Sequence, residues 1–236
     1  MPASSRTRQA RRRHRRHRER ERQRPTNRLI GMALQEWDTD ASWNAIDHLR
    51  ERSTPDTVAL CQRLFRSRNW RKRALAVNVM CQLHVHATPR PPYAEYAVPQ
   101  AHAMLLDALR DPSPLVVAAA AFGCGHRRTP EAIDALVALA THPSSDVRRG
   151  VAFGLCFRDD ARATDTLLQL AGDTDDDVRD WATFGLTHMP AWDTPAIRER
   201  LWQNARDVSD KVREEALCAL ANRGDAQAEA LLSSMP

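Results

Sequence analysis

The sequence is 236 residues long, has a formal net charge of +5 and contains five cysteines. Residues 1–28 hold 12 of the 35 basic and 2 of the 30 acidic residues, so the remainder has 23 basic and 28 acidic residues and a net charge of −5. The absence of an apolar run of about 18 residues excludes a membrane-spanning α-helix. The absence of an apolar signal segment and of C-x-x-C spacing predicts a cytoplasmic protein with reduced cysteines.

The chain begins with a predicted basic tail, residues 1–27. This segment is rich in arginine and has no apolar face, so we expect disorder rather than a folded element. A run of arginines would also bind nucleic acid or another polyanion in a salt-dependent way. Both interpretations of the tail remain open at this point.

Residues 28–236 are predicted to be helical, with no strand. The first predicted helices cover residues 26–37 and 41–51, and the next pair covers 55–65 and 67–78. A proline-rich insertion, 88–93, follows, because no helix tolerates this composition in its interior. Further predicted helices that open at or near proline or alanine cover 99–109, 130–140, 163–171 and 195–205.

A twelve-residue segment recurs after most of these helices. The sequence DDDVRDWATFGL (175–186) aligns with SSDVRRGVAFGL (144–155), SPLVVAAAAFGC (113–124) and SDKVREEALCAL (209–220), and more distantly with SRNWRKRALAVN (67–78). The apolar residue in the fourth column serves as the anchor of each copy. Steps of 31 to 34 residues between the later anchors are typical of a two-helix repeat. The anchors are Trp70, Val116, Val147, Val178 and Val212.

The columns of this repeat predict a capped, amphipathic second helix. The first column holds Ser67, Ser113, Ser144, Asp175 and Ser209, which are favoured N-cap residues. Residues four and eight after the anchor are mostly apolar and form one buried face. Three copies have glycine seven residues after the anchor, which predicts that the backbone of the first helix of the pair approaches closely there. These glycines are Gly123, Gly154 and Gly185.

The motif Asp-Val-Arg, followed by alanine and leucine at helical spacing, resembles the HEAT-repeat family, in particular its short bacterial PBS-lyase-type repeats. Asp146-Val147-Arg148 and Asp177-Val178-Arg179 carry it, and Val212-Arg213 carries part of it. The resemblance implies an all-α, right-handed α-solenoid of about five to six helix pairs, with the second helices on its concave face. It also implies that aspartate and arginine tie neighbouring repeats together. This predicted ladder comprises Asp146, Arg148, Asp177, Arg179 and Arg213 and is interrupted where Leu115–Val117 replace the motif.

Residues that the repeat does not require are the candidate binding residues on the concave face. They are Lys72, Arg149, Asp180, Trp181 and Glu214. Trp181 is either buried against the next repeat or an anchor for a partner. A column of Phe122, Phe153 and Phe184 predicts stacking between repeats, with an apolar binding strip as the alternative. The column two residues after the anchor changes sign along its length, from Lys72 and Arg149 to Asp180 and Glu214, which argues against a nucleic-acid track.

Neither a catalytic nor a metal site is predicted. The spacing Asp173-x-Asp175-x-Asp177 resembles the start of a calcium loop, but the glycine and glutamate that such a loop requires are absent. Cys81, His84 and His86 alone are weak evidence for zinc.

We therefore expect a non-enzymatic protein–protein interaction scaffold or adaptor, without a cofactor, that binds an unidentified protein. The alternatives are a nucleic-acid-associated protein that uses its arginine tail and, from architecture alone, a DNA-glycosylase-type enzyme.

Overall fold

A computed structural model describes residues 24–35, 37–86, 93–188 and 193–234. Within these ranges the chain contains thirteen α-helices and one pair of short strands. The all-α solenoid prediction is confirmed. The described chain divides between Ala97 and Val98 into two compact units.

The first unit contains two helix pairs and a β-hairpin. Thr39 and Thr54 cap α2 and α3 by accepting hydrogen bonds from the backbone N–H groups of Ser42 and Thr57. Fully buried Leu29, Ile46 and Leu75 contribute to its core. The elements are α1 (Thr26–Gln35), α2 (Asp40–Arg50), α3 (Pro55–Phe65), α4 (Trp70–Met80), β1 (His84–His86) and β2 (Tyr93–Glu95).

Helix α1 begins at Thr26, where the sequence predicts its start. Two other sequence-based expectations need correction in this unit. Helix α4 is capped by Asn69, whose side chain accepts from the N–H of Arg71, and not by Ser67. The prediction that no strand occurs is also wrong, because β1 and β2 pair antiparallel with Val85 opposite Ala94. The strands flank the proline-rich segment, of which residues 87–92 lie outside the described ranges.

The second unit contains four helix pairs and a final helix. Its first helices are α5 (Val98–Ala108), α7 (Ile133–Ala138, after a 3-10 turn at Pro130–Ala132), α9 (Ala161–Leu170) and α11 (Pro195–Asn204). Its second helices are α6 (Pro114–Arg127), α8 (Ser145–Leu155), α10 (Asp176–Thr187) and α12 (Asp210–Ala221), and α13 (Ala226–Ser233) ends the unit. Consecutive second helices lie side by side, and each also contacts the first helix of its own pair.

The repeat anchors explain this packing. Val116, Val147, Val178 and Val212 have no exposed surface. All four second helices begin directly after the predicted N-cap residue. Only Asp175 accepts a side-chain capping bond, from the N–H of Val178, whereas the three capping serines make none.

The glycine prediction is right about close contact, but the backbone that approaches Gly154 belongs to a different helix from the predicted one. A Cβ atom on Gly154 would lie 2.7 Å from the carbonyl oxygen of Ala121, which belongs to α6, the second helix of the preceding pair. Gly150 makes a similar approach to the carbonyl oxygen of Ala118. At Gly185 the neighbouring atoms belong to the side chains of Leu167 and Cys156. Helices α6 and α8 are therefore in backbone contact.

Candidate functional site

Two arginines of the repeat motif link consecutive repeats through a different aspartate column from the predicted one. Arg148 donates from Nε and Nη2 to the two carboxylate oxygens of Asp173, at 2.7 and 2.8 Å. Arg179 makes the same bidentate contact with Asp207, at 2.7 and 2.8 Å. Each aspartate lies in the loop that precedes the next second helix. Arg148 and Arg179 therefore pair with Asp173 and Asp207 and not, as predicted, with Asp146 and Asp177.

The same aspartates also cap the loops in which they lie. Asp173 accepts from the N–H of Asp175, and Asp207 accepts from the N–H of Ser209. Hydrogen bonding from Arg179 holds the pKa of Asp207 below its ordinary value. Burial opposes ionisation of Asp173, but the bonds from Arg148 and from its own loop outweigh it and lower its pKa. Since both ion pairs are largely buried, they organise the repeats and leave little surface for a ligand.

Arg213, the last arginine of the column, holds its own loop. It donates to the carbonyl oxygens of Asp207 and Val208 and is paired with Asp210. Arg148 and Arg179 bind the equivalent carbonyl groups of their own loops in the same way. Arginine at this position therefore fixes the turn that precedes each second helix.

Half-buried aromatic rings form a continuous row across α6, α8 and α10, which we call the aromatic stripe. Phe122 contacts Phe153 at a ring-centroid distance of 5.3 Å, and Phe153 contacts Trp181 edge-on at 5.1 Å. Trp181 meets Phe184 at 5.4 Å, and Phe184 meets Phe157 at 5.9 Å. Phe157 is 46% exposed and has a φ of 61°, in the left-handed region. The stripe extends the predicted phenylalanine column by two residues from other columns.

Charged residues line the margin of the aromatic stripe at the N-terminal ends of α8, α10 and α12. Arg149 pairs with Asp146 at 3.0 Å and with Asp177 at 3.5 Å, and Lys211 lies 3.8 Å from Asp177. The predicted residues Arg149, Asp180, Trp181 and Glu214 thus lie on three adjoining second helices. Lys72 is exposed on α4 of the first unit.

Asp180 is half-buried beside this margin. Burial raises the pKa of its carboxyl group, and the negative charge of Glu215 raises it further, with Lys211 acting in the opposite direction. The ionised form of this carboxyl group is therefore less favourable in the folded chain than in the unfolded chain.

We expect Asp180→Asn to raise the melting temperature at pH 7. A carboxyl group whose pKa is raised by folding destabilises the fold as pH rises through that pKa, so the difference from the wild type should vanish near pH 4, about the ordinary aspartate pKa. Thermal melts at the two pH values measure this. Asp165→Asn, an exposed change on α9, serves as the matched control and should change neither melt. Equal melting temperatures for the wild type and Asp180→Asn at pH 7 would contradict the prediction.

Buried arginines that bind backbone carbonyl groups were missed in the sequence. Arg158 donates from Nη2 to the carbonyl oxygen of Cys124 at 2.7 Å and from Nε to that of Gly154 at 3.3 Å. Arg223 binds Leu186 and Ala219 in the same way. Each arginine joins the C-terminal ends of two consecutive second helices. The signal was available, because both residues lie eleven positions after their anchors.

Potential metal ligands are scattered over residues 24–35, 37–86, 93–188 and 193–234. No group of three or more potential ligands lies together there. No helix in that part of the chain is long and apolar enough to cross a membrane.

The architecture and the packed second helices define a repeat protein of the α-solenoid class. Residues 103–187, from within α5 to the end of α10, match the family model described as HEAT repeats. The predicted resemblance to the HEAT-repeat family is therefore confirmed over these residues.

Solved structures with the same fold agree with this assignment. Escherichia coli YibA superimposes with a TM-score of 0.71 and 22% identity, over 91% of this chain and 77% of that chain. A designed armadillo repeat protein in complex with the peptide (KR)4 gives a TM-score of 0.53 and 14% identity, over 83% and 98%. Kap95p, in a structure with RanGDP, gives a TM-score of 0.59 and 14% identity, over 88% and 32%. Such identities show the fold alone. No curated protein sequence matches the chain.

Proposed function

We propose that the chain is a non-enzymatic scaffold that binds another protein across the second helices of residues 114–221. The observation that carries the proposal is the aromatic stripe, which crosses three consecutive helices and remains partly exposed. Aromatic side chains at the centre of an extended surface are the usual energetic anchors of protein interfaces. Charged residues along one margin provide the polar rim that such interfaces have.

Relatives of the same fold support this use of the surface. The designed armadillo repeat protein holds a peptide, and Kap95p binds RanGDP. Repeat proteins generally use the extended face of stacked helices in this way. The ladder arginines Arg148 and Arg179 contribute by keeping the helices in register, whereas Arg149, Asp180, Trp181 and Glu214 contact the partner.

We expect Trp181→Ala to deplete specifically bound proteins by at least about tenfold, because truncation of an aromatic anchor costs about 2 kcal/mol or more. Affinity capture with the full chain, followed by quantitative mass spectrometry, measures this. Arg149→Glu should deplete the same proteins.

Trp43→Ala is the matched control, since Trp43 is an exposed tryptophan on α2 of the first unit. It should retain every specifically bound protein, as should removal of residues 1–22. Thermal melts check that all variants remain folded. Unchanged capture by both Trp181→Ala and Arg149→Glu would reject the proposed function.

A further inference from the structure

The helix face around Trp181 has carboxylates that form no ion pair with any residue that the structure describes. All five basic residues of α8, α10 and α12 are already paired with aspartates: Arg148, Arg149, Arg179, Lys211 and Arg213. Asp180, Glu214 and Glu215 on the same helices form no ion pair within the described part of the chain. We call these three carboxylates, together with Trp181, Phe153 and Phe184, the acidic–aromatic face.

The negative charge of this face indicates which kind of partner group is complementary to it. An apolar partner would desolvate Asp180 and Glu215 without compensation, which is costly for charged groups. A polyanion would be repelled by the same carboxylates. A cation would instead relieve the repulsion between Asp180 and Glu215, which helps to keep the pKa of Asp180 raised. A positively charged side chain is therefore the complementary ligand.

The aromatic rings distinguish between arginine and lysine. A planar guanidinium stacks on an indole or phenyl ring and forms bidentate bonds with carboxylates, whereas an ammonium group is a compact and strongly hydrated charge. Trp181 is next to Asp180 in the chain, and its ring lies between those of Phe153 and Phe184. This arrangement suits a side chain that combines a flat cation with an aliphatic stem.

We infer that the acidic–aromatic face binds an extended protein segment that presents arginine beside apolar residues. The inference rests on the proposed function and specifies the partner chemistry of the same site. The arginine lies against Trp181 and pairs with Asp180 and Glu215, and the neighbouring apolar side chains lie along the aromatic stripe.

Short fluorescein-labelled peptides test this inference by fluorescence anisotropy with the full chain. Three probes alternate leucine with arginine, lysine or glutamate. The arginine peptide should bind most tightly, the lysine peptide more weakly and the glutamate peptide not measurably, with affinity falling as salt rises. The triple variant Asp180→Asn/Glu214→Gln/Glu215→Gln should lower the affinity for the arginine peptide at least about tenfold, because the peptide loses its pairing with Asp180 and Glu215 and the negative charge of Glu214 beside them.

A control variant with the same change in net charge distinguishes the effect of the acidic–aromatic face from the effect of the net charge of the whole chain. Asp159→Asn/Asp165→Asn/Glu199→Gln removes three exposed carboxylates outside α8, α10 and α12 and should change affinity less than about twofold, because distant surface charges are screened. The N-terminal arginines remain in every variant, so their effect is common to all. An equal loss in both triple variants, or equal binding of the arginine and lysine peptides, overturns the inference.

The two proposals fail separately. If the arginine peptide does not bind the wild type while Trp181→Ala still loses its captured proteins, the inference is wrong and the scaffold function stands. If capture is unchanged in Trp181→Ala and Arg149→Glu while the peptide results are as expected, the proposed function is rejected, whereas the preference of the acidic–aromatic face for arginine stands.

Discussion

Gly154→Ala is expected to lower the free energy of unfolding by about 2 kcal/mol. The new Cβ would lie 2.7 Å from the carbonyl oxygen of Ala121 and 3.1 Å from Leu136 Cδ1. Because the carbonyl belongs to the backbone of α6, the two helices would have to separate. Overpacking costs about 1–3 kcal/mol, and more where the backbone resists, while alanine favours the helix by about 1 kcal/mol. Urea denaturation monitored by circular dichroism measures the net loss.

Gly31→Ala provides the matched control for this substitution. Gly31 is exposed in the middle of α1, and no neighbouring atom lies within 4 Å of the position that the methyl group of alanine would take. The same change should therefore stabilise the chain by up to about 1 kcal/mol, through helix propensity alone. Stabilisation by both substitutions would contradict the backbone contact between α6 and α8.

The second helices were predictable because several independent signals coincide in each repeat. At Asp175, for example, a capping side chain precedes two acidic residues and an apolar face that begins at Val178. Each signal repeats in register, so a weak copy gains support from the others. The diverged first copy lacks this support. There the predicted capping residue was Ser67, whereas Asn69 lies directly before the helix and caps it.

The partners of the ladder arginines were not predictable, because they depend on how consecutive repeats are placed against each other. The family resemblance implied that the column of Asp146 and Asp177 would tie neighbouring repeats together by pairing with these arginines. The structure brings Asp173 to Arg148 from 25 residues away. Asp177, in the first turn of α10, also meets the preceding repeat, but its partner there is Arg149 and not Arg148. Such long-range contacts follow from helix packing angles that the sequence pattern does not contain.

The candidate site was predicted in part for the same reason. Trp181 was identified because the repeat does not require it, and the phenylalanine column because it recurs. Phe157 was missed, because it occupies a different column and contacts Phe184 only through the packing of α10 against α8. The sequence indicated which residues are unusual. The structure shows which of these residues are in contact with each other.

Arg158→Met is expected to lower the free energy of unfolding by about 3 kcal/mol. Arg158 is only 8% exposed, and its guanidinium binds carbonyl oxygens at the C-terminal ends of both α6 and α8. Methionine keeps much of the aliphatic packing but leaves these carbonyl groups without their donor. Hydrogen bonds to charged groups contribute about 1.5–3 kcal/mol each, and relief from burying the charge offsets part of the loss. Burial lowers the pKa of Arg158, which agrees with a free-energy cost of burying its positive charge.

Arg162→Met is the matched control. It distinguishes the effect of losing the carbonyl contacts of Arg158 from the effect of losing a positive charge. Arg162 lies four residues further along the chain, is exposed, and pairs with Asp134 and Asp160 at the surface. Surface pairs of this kind contribute little to stability because water and salt screen them, so urea denaturation should show a small change. A large loss for Arg158→Met together with a small loss for Arg162→Met means that the buried arginine joins α6 to α8. Equal and small losses would mean that packing between the helices is sufficient without it.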